Sequence, residues 1–361
     1  MSRQSTRAEA PLARFVGRSL IVLALVASPT LAWNDTPDVK FDRAQADAAL
    51  SILGKRAAGE TVGEADWRAL FATSGYRRLK DREAAMGRAF TDAEFKSFLE
   101  MPRTPQQIEA LRRTLQDWSS QPIAASARAA LAYLPVGARL KATVFPMVKP
   151  KPNSFVFDLA KDPAIFLYLD PEVPGAKARN TLSHELHHIG MGSSCPAPKS
   201  KTSGPAAKLS TWMSAYGEGL AMLAAAGNPD THPHSVSSAK ERAEWDANIA
   251  RVDALMAEQN AFFLSVLDGK AGDDAAIDKK MMGYFGVQGP WYTVGWKMAT
   301  TIEVQFGRER AIDAFCDPRQ LLATYNEAAR MQNRSRTASL PLWDQRLAAT
   351  LAGQGSPASG L

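Results

Sequence analysis

The chain has 361 residues, of which 45% are hydrophobic and 22% charged, the composition of a globular protein with enough apolar material for one large domain or two smaller ones. Its formal net charge is +6, and without the first 32 residues it falls to +3, with 39 basic and 36 acidic residues left. This mild balance, and basic stretches without interleaved aromatic residues, exclude nucleic acid as an expected partner.

The first 32 residues have the layout of a secretory signal peptide. Four arginines, the last of them Arg18, precede an unbroken apolar run from Leu20 to Ala27, and small residues up to Ala32 mark a cleavage site. The run has eight residues, well short of the roughly 20 that a helix needs to span a bilayer. We therefore expect residues 1–32 to be a signal peptide, and the mature chain to be exported, periplasmic or secreted, with no stable membrane anchor.

Two cysteines, Cys195 and Cys316, remain in the mature chain. In an oxidising compartment an isolated pair can form a disulfide, and two buried free thiols are the alternative. The sequence leaves both open.

Helices are expected through the N-terminal region, residues 33–135. Thr104 is a helix cap and Pro105 suits a first turn, and apolar residues from Ile108 to Trp118 follow at helical spacing. A second helical pattern covers residues 125–135 and closes at Pro135. This part of the chain is therefore predicted to be helical.

A short β region follows, and then helices return. The stretches RLKATVFPMV (139–148), NSFVFDLA (153–160) and AIFLYLD (164–170) are rich in β-branched and aromatic residues. AIFLYLD fits an edge strand, whose free backbone groups could pair with an extended peptide, and equally an interior strand.

Helical patterns then run from 177 to about 350, with loops at 192–205 and 227–237. The fold class is α+β and predominantly helical. A small sheet and the helices that follow it are expected to form one region, residues 136–350, and a flexible tail is expected at 351–361.

Three of the five histidines stand within five positions, in the stretch His184-Glu185-Leu186-His187-His188. On a helix, His184 and His188 share one face and can both direct ring nitrogens at one ion. Glu185 is turned about 100° away, which suits a base beside the metal. This is the H-E-x-x-H zinc arrangement. We expect His187 to lie at the surface or behind the ligands.

The third ligand is expected from a later helix. The apolar stretch STWMSAYGEGLAMLAAAG contains one acid, Glu218. A buried lone carboxylate is costly, and Zn²⁺ would offset that cost. Gly217 and Gly219 flank it, and each lowers helix stability by about 1 kcal/mol relative to Ala. We expect glycines in a helix at this cost where two helices approach closely. An acid paired with an arginine at a helix seam is the alternative.

Two tyrosines are candidates for donating a hydrogen bond to the oxyanion of the reaction. Tyr292 follows Gly289-Pro290, the start of a helix in which Gly295 marks a close approach to the site. Its hydroxyl would stabilise the charge that develops on a scissile carbonyl. Tyr284 is the competing candidate, and a purely structural aromatic is the alternative for either residue.

The motifs together resemble a known group of enzymes. HELHH followed by GEGLA is similar to gluzincin zinc peptidases, and the mature chain from about 40 to 330 resembles an uncharacterised bacterial family of predicted zinc-dependent peptidases. Besides HELHHIG and GEGLA, the segments that carry this resemblance are GYRRLKDREAAMGRAFT, AYLPVGA, NSFVF, AIFLYLD and YTVGWKMATTIEVQFG.

The resemblance implies zinc ligands at His184, His188 and Glu218, and a catalytic base at Glu185. Some gluzincins carry an acid four residues after the glutamate ligand to orient a histidine, and here that position is Met222. The partner that fixes the ligand imidazoles must then come from elsewhere.

The sequence therefore predicts an exported metallopeptidase with one Zn²⁺ per chain, acting on peptide or protein substrates. Glu185 would activate a zinc-bound water for attack on the peptide bond. One alternative is a binding protein with a structural zinc, which needs a fourth protein ligand, most plausibly Cys195 or His187. The other is a zinc hydrolase of non-peptide amides.

Overall fold

The structure is a computed structural model that describes residues 37–195 and 204–353. The predicted signal peptide, residues 196–203 of the predicted loop at 192–205, and residues 354–361 of the predicted tail lie outside these ranges. The described residues form one compact unit. The predicted boundary between residues 135 and 136 stays a prediction.

Most of the described chain is helical, which confirms the predicted fold class. The α-helices of the two described ranges are α1 Ala44–Ala57, α2 Glu64–Phe71, α3 Ser74–Ala85, α4 Asp92–Glu100, α5 Pro105–Ser120, α6 Ile123–Leu131, α7 Gly175–Ser194, α8 Gly204–Met213, α9 Gly217–Ala226, α10 Ala239–Ile249, α11 Val252–Leu267, α12 Asp274–Gly283, α13 Pro290–Phe306, α14 Arg308–Cys316, α15 Pro318–Asn333 and α16 Gln345–Leu351. A single 3₁₀ turn, Ser214–Tyr216, connects α8 to α9.

A small mixed sheet combines one strand before α1 with three strands between α6 and α7. Its strands are β1 Asp38–Phe41, β2 Lys141–Met147, β3 Phe155–Phe157 and β4 Ala164–Tyr168. The spatial order is β1-β2-β4-β3, with β1, β2 and β4 parallel and β3 antiparallel to β4. Because β4 lies between β2 and β3, the edge-strand alternative for AIFLYLD is wrong, and β3 and β1 are the edges of this sheet.

Local sequence accounts for the helix of the N-terminal region that was predicted in most detail. The hydroxyl of Thr104 accepts from the backbone N–H of Gln107, and the side-chain oxygen of Gln107 accepts from the backbone N–H of Thr104. Pro105 occupies the first turn of α5. The following helix ends earlier than expected, at Leu131, so Pro135 lies in a turn beyond it.

Helix α7 lies between two apolar cores. Leu182, Leu186 and Ile189 belong to a core built from the N-terminal helices and the sheet. A second core is built almost entirely from α8 to α16, and Met191 packs against both. In the described ranges no helix is both long and apolar enough to cross a bilayer. The helix that carries the histidines is therefore held by apolar contacts from both halves of the chain.

The end of α7 is also fixed covalently. Cys195, which caps α7, forms a disulfide with Cys316, the last residue of α14. Of the two states that the sequence left open for the cysteines, the structure therefore has the disulfide.

Candidate metal centre

Two of the predicted ligands project from α7 toward one point. His184 and His188 are one helical turn apart, and their Nε2 atoms are 3.0 Å from each other. Both side chains are largely buried, with 14% and 25% of their surface exposed. The spacing in sequence has produced the shared face that it predicted.

Glu218 completes the cluster from the first turn of α9. Its Oε2 lies 3.1 Å from Nε2 of His184 and 3.1 Å from Nε2 of His188. Among the described residues these three side chains form the group able to hold a metal ion. The alternative for Glu218, pairing with an arginine, does not apply, since its partners are the two histidines.

Glu218 reaches this position because α9 and α13 touch through backbone. A Cβ atom on Gly219 would overlap the backbone of Gly295 and Trp296, and one on Gly295 would lie 2.6 Å from the carbonyl oxygen of Tyr216. A Cβ on Gly217 would meet no atom within 4 Å. Of the two glycines beside Glu218, only Gly219 is required by the close approach.

The electrostatics of the cluster are those of an ion pair held away from water. Burial alone would raise the pKa of Glu218, but the charges and hydrogen bonds of His188 and His184 outweigh it and hold that pKa below its usual range. Burial would lower the pKa of His188, and the carboxylates of Glu218 and Glu185 instead raise it to about 9.

The three donor atoms fit a zinc ion. Tetrahedral Zn²⁺ with ligand atoms at about 2.0–2.2 Å separates them by roughly 3.3 Å, close to the 3.0 and 3.1 Å edges of this triangle. Two imidazoles and one carboxylate are also a donor set of catalytic zinc sites, which leave further coordination positions open. Donor type and spacing therefore agree.

Glu185 stands beside the triangle without belonging to it. It is half-buried, and within the described part of the chain its carboxylate makes no hydrogen bond or ion pair. Its charge acts on His188 and on Tyr292. A carboxylate that is next to the ligands and has no partner of its own is available to accept a proton.

The structure places Tyr292, and not Tyr284, at the cluster. The ring of Tyr292 lies 6.4 Å from that of His184 in a nearly parallel orientation. Burial, together with the charges of Glu218 and Glu185, raises its pKa well above the usual value. Tyr284 is buried in the second core against Phe262, Phe263 and Trp291.

Neither predicted source of a fourth protein ligand is available. His187 is fully buried and donates from Nε2 to the carbonyl oxygen of Tyr133 at 3.0 Å. Of the two positions expected for this histidine, the surface one is wrong, since the side chain lies in the interior and anchors the back of α7. Cys195 is in its disulfide with Cys316.

Some groups that build the site had no signal in the sequence. Asn180 donates from its side chain to the carbonyl of Ala225 at 3.0 Å and so ties α7 to the end of α9. Nδ1 of His184 is buried with no partner among the described atoms, so the departure at Met222 is not compensated by another residue of the described chain.

Comparison with known proteins gives one family match. A family model described as "Putative zinc dependent peptidase (DUF5700)" matches residues 67–334, most of the chain. The match runs from α2 to the end of α15 and includes all three residues of the cluster. No curated protein and no solved structure matches.

The glycine contact gives a test of how Glu218 is positioned. We expect Gly219→Ala to push α9 and α13 apart, to lower the free energy of unfolding by about 1–3 kcal/mol or more, and to weaken zinc binding. Gly217→Ala is the matched control. It should change stability by no more than about 1 kcal/mol, in the stabilising direction, and retain zinc. Thermal unfolding and zinc titration of both variants measure this, and equal behaviour would contradict the role of the contact.

Proposed function

The chain belongs to the DUF5700 family, and on this premise we propose that it is an exported, gluzincin-like zinc metallopeptidase that hydrolyses peptide bonds. The observation that carries the proposal is the triangle of His184, His188 and Glu218 with the unpaired carboxylate of Glu185 beside it. The family description supports a zinc-dependent peptidase, and the division of roles among the residues is our proposal.

The three side chains of the triangle would hold one Zn²⁺ per chain. When bound, the ion supplies Lewis acidity, which lowers the pKa of water and polarises a carbonyl oxygen. The protein's part is to keep three donor atoms about 3 Å apart in a largely buried setting. The disulfide at the end of α7 and the buried contact of His187 hold the helix that carries two of them.

Glu185 is the proposed general base and acid. Its carboxylate accepts a proton from the attacking water and delivers it to the nitrogen of the leaving amine. Because no other described residue engages this carboxylate, neither transfer has to break an existing hydrogen bond or ion pair.

Tyr292 is the proposed donor to the carbonyl oxygen of the substrate. The raised pKa keeps its hydroxyl protonated over the whole working range of pH, so the group can donate a hydrogen bond as negative charge develops on that oxygen. Its ring is fixed over His184 by α13, which Gly295 brings against α9.

The structural-zinc alternative is less well supported. A structural site is closed by four protein ligands, and the two residues predicted to supply the fourth, His187 and Cys195, are held by Tyr133 and Cys316. No observation favours a non-peptide amide as substrate, and a substrate screen distinguishes that class from peptides.

The first test is the substitution Glu185→Gln. We expect the variant to retain one zinc per chain, because Glu185 is not a ligand, and to lose peptide cleavage by about 10²–10⁴-fold. Zinc content and turnover of a mixed peptide library are measured on the mature protein. Glu172→Gln is the matched control, since Glu172 is an exposed glutamate just before α7 whose carboxylate has no hydrogen bond to any described residue.

Two results would overturn the proposal. If wild type and both variants bind zinc and none cleaves a peptide, the peptidase function fails, and non-peptide amides become the next substrates to assay. If wild type holds no zinc, the cluster is not a metal site.

Replacing Tyr292 with Phe tests the oxyanion donor. We expect kcat to fall by about 10²–10³-fold with little change in KM, as for a donor that acts mainly in the transition state. Tyr284→Phe should leave both constants near wild type, because Tyr284 lies in the core. An unchanged kcat for Tyr292→Phe would remove this residue from the mechanism.

Export is the third part of the proposal. The disulfide between Cys195 and Cys316 suits an oxidising compartment, and the apolar run before Ala32 suits a cleaved signal peptide. We expect the intact mass of protein recovered from outside the cytoplasm to correspond to a chain that begins at Trp33 and has no free thiol. A chain that begins at Met1 and stays in the cytoplasm would contradict export.

A further inference from the structure

A cavity lies in the N-terminal half of the fold, apart from the candidate metal centre. It has a volume of about 210 Å³ and is enclosed by α3, α4 and the segment that follows β2. Leu79 and Phe95 are buried side chains of its wall, and Phe90 is half-buried. None of the residues of the metal centre lines it. The cavity therefore offers a mainly apolar space of its own.

Its polar lining includes one buried carboxylate that is already neutralised. Glu83 is 7% exposed and is paired with Arg82 and with Arg88, whose Nε lies 2.9 Å from a carboxylate oxygen. Lys151 lies farther off, at 3.9 Å. Two guanidinium groups beside one carboxylate leave Glu83 with no need of a further cation.

Lys149, on the same wall, has no such counter-charge. It is 3% exposed, and its ammonium donates to two neutral oxygens, the carbonyl of Lys151 and the side-chain amide of Asn153 at 2.9 Å. The rings of Phe155 and Tyr168 lie within 5.5 Å of it. Within the described ranges no carboxylate comes within salt-bridge distance of this buried cation.

The surroundings make the positive charge costly. Burial lowers the pKa of Lys149 to about 8; the charge of Glu83 opposes this effect, and the charges of Arg82 and Lys151 add to it. A buried ammonium without a counter-ion is unfavourable, and an anion brought by a ligand would offset part of the cost.

From this combination we propose that the cavity is a binding site for a small apolar monocarboxylate, with the aliphatic or aromatic part against Leu79, Phe90 and Phe95 and the acid group toward the cationic wall. Three cations, Arg88, Lys149 and Lys151, line the cavity together with Glu83 and, at the rim, Glu94. The excess of one positive charge suits one carboxylate, and the two glutamates disfavour a phosphate dianion.

The size of the space limits the ligand further. Pockets for drug-sized molecules begin at about 300 Å³, so this cavity of about 210 Å³ suits one ring or a short alkyl chain with its acid group. A free acid and the C-terminal residue of a peptide present the same chemistry.

The test compares acids with their neutral amides on the full mature protein carrying His184→Ala, in which carboxylates cannot use the metal centre. One arm uses 3-phenylpropanoate and 3-phenylpropanamide. The other uses acetyl-alanyl-phenylalanine and its C-terminal amide. We expect at least one acid to bind about tenfold or more tightly than its amide, as measured by calorimetry. The arm that binds identifies the source of the carboxylate.

Substitutions then locate the binding site. Lys149→Met should abolish the preference for the acid, and Lys151→Gln, at the exposed rim, should weaken acid binding several-fold. Lys279→Gln, an exposed lysine on α12, is the matched control and should change nothing. If Lys149→Met does not fold, the comparison of acids with amides on the His184→Ala protein and the Lys151→Gln variant decide.

The proposal is overturned if acids and amides bind equally, or if neither binds at about 10 mM. It is also overturned if those of the Lys149→Met and Lys151→Gln variants that fold keep the full preference for the acid. None of these results bears on peptide cleavage, so this site and the metallopeptidase function succeed or fail separately.

Discussion

The metal centre depends on one contact, the side-chain-free crossing of α9 and α13 at Gly219 and Gly295. On one side of the crossing, the neighbouring residue Glu218 meets the two histidines of α7. On the other side, Tyr292, less than one turn before Gly295, lies against His184. One backbone contact thus sets the positions of the proposed acidic ligand and of the proposed hydroxyl donor. Because a methyl group at either glycine would overlap backbone atoms, neighbouring side chains cannot relieve the clash by moving.

The opposite side of the centre is held by different forces. Helix α7 buries Leu186 in the first core, donates from His187 to the carbonyl of Tyr133, and ends in the disulfide of Cys195. These contacts orient the helix from behind, so that the face with His184 and His188 is turned toward α9. The geometry of a metal site becomes precise when the surrounding structure positions each donor in this way. Three donor atoms about 3 Å apart are the geometric result.

Much of this centre could be predicted from sequence because its information is local. The spacing of His184 and His188 fixes a shared helical face, and the single acid in an apolar helix identifies Glu218. The features that escaped depend on distant partners. The strand β1 is four residues long and is defined by its pairing with β2, about 100 residues later. Whether AIFLYLD was central or at an edge depended on where β3 and β2 paired. The inward orientation of His187 required knowing where Tyr133 lies.

The same reasoning from buried charge links the metal centre to the cavity near Lys149, and it also says when no ligand should be inferred. Glu83 is buried and charged, but Arg82 and Arg88 pair with it, so its charge is balanced by the chain itself. Glu218 is paired only with histidines among the described residues, and in the proposed zinc site these histidines would be neutral, so the balancing charge would come from the bound cation. Lys149 is the converse case, because its bonded partners are neutral oxygens and aromatic rings. A buried charge indicates an external partner only where the protein's own groups leave it uncompensated, and that condition selects Glu218 and Lys149 and not Glu83.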